Sequence, residues 1–271
     1  MQKVQHFVIT RFNLKIASGF SVDKSGVSTQ SDDWLSHRFD LFERYCLPSL
    51  AAQTNKDFIW FVFFDESTSE TYRQRMEKAQ QQCPQLRACY IPDTDIHSVM
   101  NRAIDEQTDV LITTRIDNDD AFREDALAVI RQQLDNVSQD TVINLRFGYS
   151  YDGHLAEVFS QKYNPFSSLI EFRKPDGFMT IFGEHGHGKI HKIARVKQIK
   201  TGPHWLMVVH DRNVANKMPG EYKYEKLWKP HRLKRFIKKY LLHRIRSLFR
   251  PAAFRKKYTI EELAKQFHVR S

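Results

Sequence analysis

Asp109-Val110-Leu111-Ile112-Thr113-Thr114-Arg115-Ile116-Asp117-Asn118-Asp119-Asp120 is an apolar, strand-like segment that runs directly into three carboxylates within four residues. Ionised carboxylates packed this closely repel one another. Hard divalent cations such as Mg²⁺ or Mn²⁺ relieve that repulsion, taking oxygen ligands from one or two carboxylates together with substrate phosphates. The stretch therefore predicts a metal–diphosphate site at a strand end. The competing reading is an acidic turn capping a helix that starts near Phe122, since Asp is favoured at helix N-termini.

Working outward, short apolar runs alternate with longer segments of helical period. His6 to Thr10 reads as a first strand, followed by a polar loop over Ala17 to Asp33. Trp34 to Gln53 reads as a helix, with Pro48 as a kink or end. Phe58 to Phe64 is apolar throughout and predicts a strand buried on both faces. Helices over Ser69 to Gln82 and Ile96 to Gln107 flank a short strand at Tyr90-Ile91, and Val110 to Arg115 delivers the acidic motif. This alternation predicts an α/β fold with a mostly parallel sheet flanked by helices. In such sheets ligands gather beyond the carboxyl ends of the strands, where Asp117 to Asp120 fall.

Composition bounds the possibilities. With 271 residues, of which 41% are hydrophobic, the chain can bury one substantial core plus an appendage. No signal-peptide-like N-terminus is present and the longest apolar run is too short to span a bilayer, so a cytoplasmic protein is expected. Cys46, Cys83 and Cys89 lack Cys-x-x-Cys spacing and read as reduced thiols. The net charge of +10 is concentrated: Glu221 to Lys257 holds fourteen Lys or Arg against two Glu, and the rest is near neutral. Leu233, Phe236, Ile237, Tyr240, Leu241, Ile245, Leu248 and Phe249 recur there at helical spacing. Such a basic amphipathic helix suits an anionic membrane surface, on the inner face of the cytoplasmic membrane. Packing on the body is the alternative, and nothing else favours nucleic acid. The domain reading is thus 1–220 for the body and 221–271 for the basic helical segment.

Two further strand ends carry polar groups able to meet the same ligand: Arg11 and Asn13 after the first, and Asp65, Glu66, Ser67 and Thr68 after the second. In order along the chain, the opening strand, Phe64-Asp65-Glu66-Ser67-Thr68, Asn101-Arg102-Ala103 and Arg115-Ile116-Asp117-Asn118-Asp119-Asp120 resemble nucleotide-sugar glycosyltransferases of the GT-A fold. Glu66 stands where an Asp is usual and Ala103 where a Gly is usual. More narrowly, Tyr45-Cys46-Leu47-Pro48-Ser49-Leu50 and Trp205 to Asn213 resemble a bacterial rhamnosyltransferase family over roughly residues 3 to 220.

The resemblance implies a GT-A (Rossmann-like) fold and an inverting transfer of a sugar, plausibly rhamnose, from a nucleotide diphosphate donor to a bacterial surface glycan or lipid-linked glycan acceptor. It implies donor contacts from Arg11, Asn13, Asp65, Arg102, Arg115 and Asp117. It implies Mn²⁺ or Mg²⁺ on Asp119 and His210. The catalytic base falls in Gly183-Glu184-His185-Gly186-His187-Gly188-Lys189; Glu184 is the first choice and His187 a second. Asp176, Glu171 and His185 are rivals. A metal-dependent phosphohydrolase and a non-catalytic basic binding module are the alternative functions.

Overall fold

The computed structural model describes residues 2–14, 23, 26–92, 95–182, 192, 194–213 and 256–270. The elements run β1 (Val4–Arg11), α1 (Asp32–Leu41), α2 (Leu47–Ala51), β2 (Ile59–Asp65), α3 (Glu70–Gln82), β3 (Leu86–Ile91), α4 (Ile96–Ala103), β4 (Val110–Arg115), β5 (Ala121–Phe122) and α5 (Ala126–Arg131). They continue with β6 (Thr141–Tyr151), β7 (Ala156–Ser160), β8 (Ser168–Phe172), β9 (Arg195–Val208), β10 (Lys257–Tyr258) and a last helix, α6 (Ile260–Phe267). The strands among the described residues join one sheet in the order β10-β7-β6-β8-β4-β1-β2-β3, with β9 beside β6 and β5 beside β9. The sheet is mostly parallel: β4–β1–β2–β3 and β6–β9 pair in parallel, and antiparallel β8 joins the two parts. Helices cover both faces. This is the α/β architecture the alternation predicts.

The period of two along the strands sorts side chains between those faces. Val8, Trp60, Val62, Phe64, Val110 and Ile112 point to the side covered by α1, α2, α3 and α5, where Phe39, Leu50, Met76 and Leu127 meet them. Phe7, Ile9, Phe61, Phe63 and Leu111 point to the other side, onto Ile96 and Met100 of α4. In α3, Tyr72, Met76 and Ala79 are buried, one stripe of a 3.6-residue repeat.

Three local features depart from the sequence reading. Between α1 and α2 the helix widens into one π turn at Phe42–Cys46. The insertion absorbs Pro48, which has no N–H to donate and would clash with a preceding carbonyl in a regular helix. β3 begins at Leu86 rather than Tyr90, with Arg87 exposed at the sheet edge. No helix starts at Phe122; Ala121 and Phe122 pair with Leu206 and Trp205. The Phe122 amide donates to Ser49 Oγ at 3.2 Å, so a distant partner overrides the local capping signal.

Most of the cationic stretch, residues 214–255, lies outside the described residues. Residues 256–270 pack against the body: β10 pairs with β7, and Ile260, Leu263 and Phe267 of α6 are buried among Tyr149, Tyr151, Leu206 and Val208. Thr259 and Glu262 form a capping box at the start of α6. Among the described residues no helix is long and apolar enough to cross a membrane. Cys46, Cys83 and Cys89 are free thiols.

Candidate functional site

β1, β2 and β4 run parallel, so their carboxyl ends deliver polar side chains to the same edge of the sheet. At the ends of β1 and β4, Arg11 and Arg115 lie over the ring of Phe182, 5.0 and 5.7 Å from its centroid. Arg115 also holds Asp117, with Nη2 to Oδ1 at 3.0 Å. Burial, then Arg115, bring the Arg11 guanidinium down to about 10, with Asp117 acting in the opposite sense; Arg11 therefore stays cationic at neutral pH. Two guanidiniums, one carboxylate and an aromatic ring make a locus for an anion attached to a polyol.

Phe182 is held there by its own strand of chain. Ile181 donates its amide to Thr113 Oγ1 at 2.8 Å, and Met179 and Thr180 donate theirs to the two carboxylate oxygens of Glu171, both at 2.8 Å. Thr180 sits at φ +64°, a left-handed conformation that those bonds hold. Glu171 faces Leu111 in register, at the start of β4, whereas Asp117 follows that strand's end. Both its oxygens are engaged, which makes it an anchor of this loop rather than a base. Burial raises its carboxyl above the ordinary value. Asp176 is exposed near the Lys174–Gly177 turn. Glu184, His185 and His187 lie outside the described residues.

At the end of β2, Asn13 and Asp65 are brought together, and both are buried. Asn13 Nδ2 donates to Thr68 Oγ1 at 3.1 Å, and its Oδ1 accepts from the Asp65 amide at 3.1 Å. Asp65 Oδ1 accepts from the amide of Ser67 at 2.9 Å and from its hydroxyl. Asn13 thus ties the β1 exit to the β2 exit and fixes where Asp65 sits. Arg102 is not brought to either group: it is exposed on α4, where it acts electrostatically on Asp95.

Asp119 and His210 meet, as the resemblance implied, but in company. Asp119 is 1% exposed, and its Oδ2 lies 2.5 Å from Arg38 Nη1, 3.0 Å from His210 Nε2 and 2.9 Å from Asn213 Nδ2. Burial opposes ionisation of this carboxyl, yet Arg38 and His210 outweigh it and hold it below the ordinary carboxylate range. A divalent ion on that oxygen would have to displace a guanidinium, so the residues as arranged do not fit a metal there. Asp120 turns away: Oδ1 accepts from the Val208 amide at 2.9 Å, and Oδ2 has no partner among the described residues. Burial, with Asp119 and Asp117 nearby, pushes the Asp120 carboxyl well above its ordinary value.

Arg38, His37, Asn213 and Phe182 are the members of this region that sequence reasoning missed. Arg38 and His37 fall within α1, where a charge or an imidazole reads as solvated surface. Only Asn213, inside the segment that carries the rhamnosyltransferase resemblance, had a signal that could have found it.

The comparisons with known proteins agree with the resemblance. Residues 5–222 match the family model described as "Putative rhamnosyl transferase". No curated protein matches. Among solved structures, TarS 1-349 of S. aureus in complex with UDP is similar over 76% of this chain and 60% of its own, at 14% identity and a TM-score of 0.44. S. aureus TarS is similar over 77% of this chain and 37% of its own, at 13% identity and a TM-score of 0.42. The inositol-1-phosphate CTP transferase from T. maritima is similar over 82% of this chain and 96% of its own, at 12% identity and a TM-score of 0.33. The chain therefore spans 60% and 37% of the two TarS chains it is compared with.

Proposed function

The chain belongs to this rhamnosyl transferase family, and from that premise we propose that it moves rhamnose from a nucleoside diphosphate donor to a hydroxyl of a bacterial surface glycan. The observation that carries the proposal is the pairing of Arg11 and Arg115 over Phe182 beside Asp117.

As the anomeric carbon–oxygen bond of the donor breaks, negative charge grows on the departing diphosphate. Two guanidiniums held in advance by a ring and a carboxylate stabilise that charge without reorganising, and guanidinium forks match phosphate oxygens. Asp117 accepts from a sugar hydroxyl of the nucleotide. Asp65, fixed by Asn13, lies at the neighbouring strand end as an acceptor for a base N–H. The acceptor hydroxyl attacks the face opposite the leaving group, inverting the centre, and gives its proton to a carboxylate. Glu184 takes that role because it lies two residues along the chain from Phe182. The cationic stretch from Glu221 to Lys257 holds the enzyme at anionic headgroups, where a lipid-linked acceptor is within reach.

The test is ligand-dependent thermal stability across UDP, dTDP, GDP and CDP, followed by transfer from the matching rhamnose donor. A ligand that binds only the native state raises the melting temperature with its occupancy. No shift with any nucleoside diphosphate removes the reading. Release of free sugar at full rate without acceptor turns it into a hydrolase.

A further inference from the structure

Beside Asp119, three potential metal ligands converge: His37 from α1, and His210 and Asp211 from the turn after β9. One donor atom from each lies within 4.8 Å of the others. The turn is fixed by Asn213, whose Oδ1 accepts from the His210 amide at 2.7 Å and whose own amide donates to the His210 carbonyl at 3.2 Å. His37 Nε2 and His210 Nδ1 are 3.4 Å apart, with the rings inclined at 65°. That separation is long for a hydrogen bond. It matches the edge of about 3.3–3.4 Å spanned by two nitrogens each about 2.0–2.1 Å from a shared tetrahedral ion.

The other side of the His210 ring meets Asp119. Asp119 Oδ2 can only accept, and His210 Nε2 lies 3.0 Å from it as well as 3.1 Å from Arg38 Nη1 and 2.9 Å from Asn213 Nδ2; the tautomer that a metal on Nδ1 requires carries its proton on Nε2, toward Asp119. Nδ1 then carries a bare lone pair turned toward His37. A ligating histidine commonly donates its second ring N–H to a carboxylate, which fixes the tautomer and raises the basicity of the ligand atom. Two guanidiniums beside the cluster are each paired with a carboxylate, Arg38 with Asp119 and Arg212 with Asp33 at 2.8 Å.

We propose that His37 Nε2, His210 Nδ1 and an Asp211 carboxylate oxygen form a site for a borderline first-row divalent cation, Zn²⁺ before Mg²⁺, with Asp119 as the positioning residue behind His210. Two imidazoles and one carboxylate suit such an ion, and three protein ligands leave a fourth position open to water or a phosphate oxygen. None of its three ligands belongs to the Arg11–Arg115 locus.

The experiment is titration of the chelator-treated full chain with Co²⁺, Zn²⁺ and Mg²⁺ in the absence of any donor, read by calorimetry and by the visible spectrum of Co²⁺. One Co²⁺ per chain with a four-coordinate spectrum, displaced by Zn²⁺ and not by Mg²⁺, is expected. His37→Gln and Asp211→Asn, both at solvent-reachable positions, abolish that spectrum with the melting temperature kept. Asp119→Asn preserves it with affinity lowered roughly 10–100-fold. The proposal is overturned if the full chain gives no such spectrum or if His37→Gln binds as well as wild type. It is equally overturned if divalent binding requires Asp119 but not His37. Failure here leaves nucleoside diphosphate binding untouched, so it is separable from failure of the transferase reading.

Discussion

Arg38 and Asp119, 81 residues apart in sequence, form a buried ion pair with 2.5 Å between Nη1 and Oδ2 and side chains 11% and 2% exposed. Breaking such a pair from one side leaves a charge in a low-dielectric site with nothing to offset it. Arg38→Met is therefore expected to cost about 3–5 kcal/mol in urea unfolding. Adding Asp119→Asn to it should recover most of that loss, because the stranded charge is gone. A double variant as unstable as Arg38→Met alone would show that packing of Arg38 over Trp34, 5.1 Å from its ring centroid, carries the effect instead.

His6 is expected to contribute to the acid side of the stability profile. It is 2% exposed on β1, with Nε2 2.8 Å from Thr114 Oγ1 and Nδ1 without a partner among the described residues. Burial, then the charge of Arg131, lowers it from 6.5 to about 3. The folded state thus refuses a proton that the unfolded chain accepts. This contribution is complete above pH 6.5 and is lost progressively as the pH falls toward 3, in total on the order of 5 kcal/mol. Unfolding free energies measured between pH 7 and 5 should decline in wild type and flatten in His6→Gln. An equal slope in both would assign the acid limb to other groups.

Gly148 on β6 leaves room for Trp205. A Cβ there would meet the indole at 2.0 Å. The indole cannot step aside, since it stacks on Phe166 at 4.7 Å and donates Nε1–H to the Leu145 carbonyl at 2.8 Å. Gly148→Ala should destabilise by about 3 kcal/mol, the upper end of ordinary overpacking. It should also shift the tryptophan emission. An unchanged melting temperature would mean that β9, which leads to His210, slides without cost.

How far this arrangement was legible in the sequence follows from the range of each interaction. β1, β2 and β4 announce themselves through runs of adjacent apolar residues, and the acidic motif is read at a strand end because both signals are local. Ala121-Phe122 reads as the start of a helix because its partners, Ser49 and Trp205-Leu206, are 73 and more than 80 residues away. His37 meets His210 across 173 residues of chain. A pattern of helical period shows that α1 exists and which side is apolar, but not which polar residue on its flank meets a turn from the far end of the body. The sequence therefore names Asp119 and His210 and omits Arg38, which pairs with Asp119.

Donor affinity tests the Arg11–Arg115 locus. Each guanidinium is expected to contribute charge-assisted bonds to the diphosphate, at about 1.5–3 kcal/mol per bond to a charged group. Arg115→Ala should weaken nucleoside diphosphate binding by roughly 10- to 100-fold and also release Asp117. Arg115→Lys should restore little, because a single ammonium lacks the planar fork. Asn13→Ala, acting only through the placement of Asp65, should weaken nucleosides while leaving inorganic diphosphate binding unchanged. Equal loss for both ligands would place Asn13 at the phosphates.

Vesicle binding tests the basic stretch, and the design has to respect how the chain ends. Truncation at 220 would also remove β10 and α6, whose Leu263 and Phe267 are buried against Tyr149 and Leu206. A truncated protein could lose lipid affinity simply by losing its fold. Charge substitution avoids this: replacing Arg232, Lys234, Arg235, Lys238 and Lys239 by Gln leaves the packed end in place. Each cation near an anionic surface is worth about 1 kcal/mol, so five substitutions should weaken binding to phosphatidylserine vesicles by three orders of magnitude or more at physiological ionic strength. The wild-type interaction should fall steeply as salt is raised, since the Debye length shortens from about 10 Å at 0.1 M to 3 Å at 1 M. Binding that survives both the substitutions and high salt would make the apolar stripe, rather than the charge, the anchor.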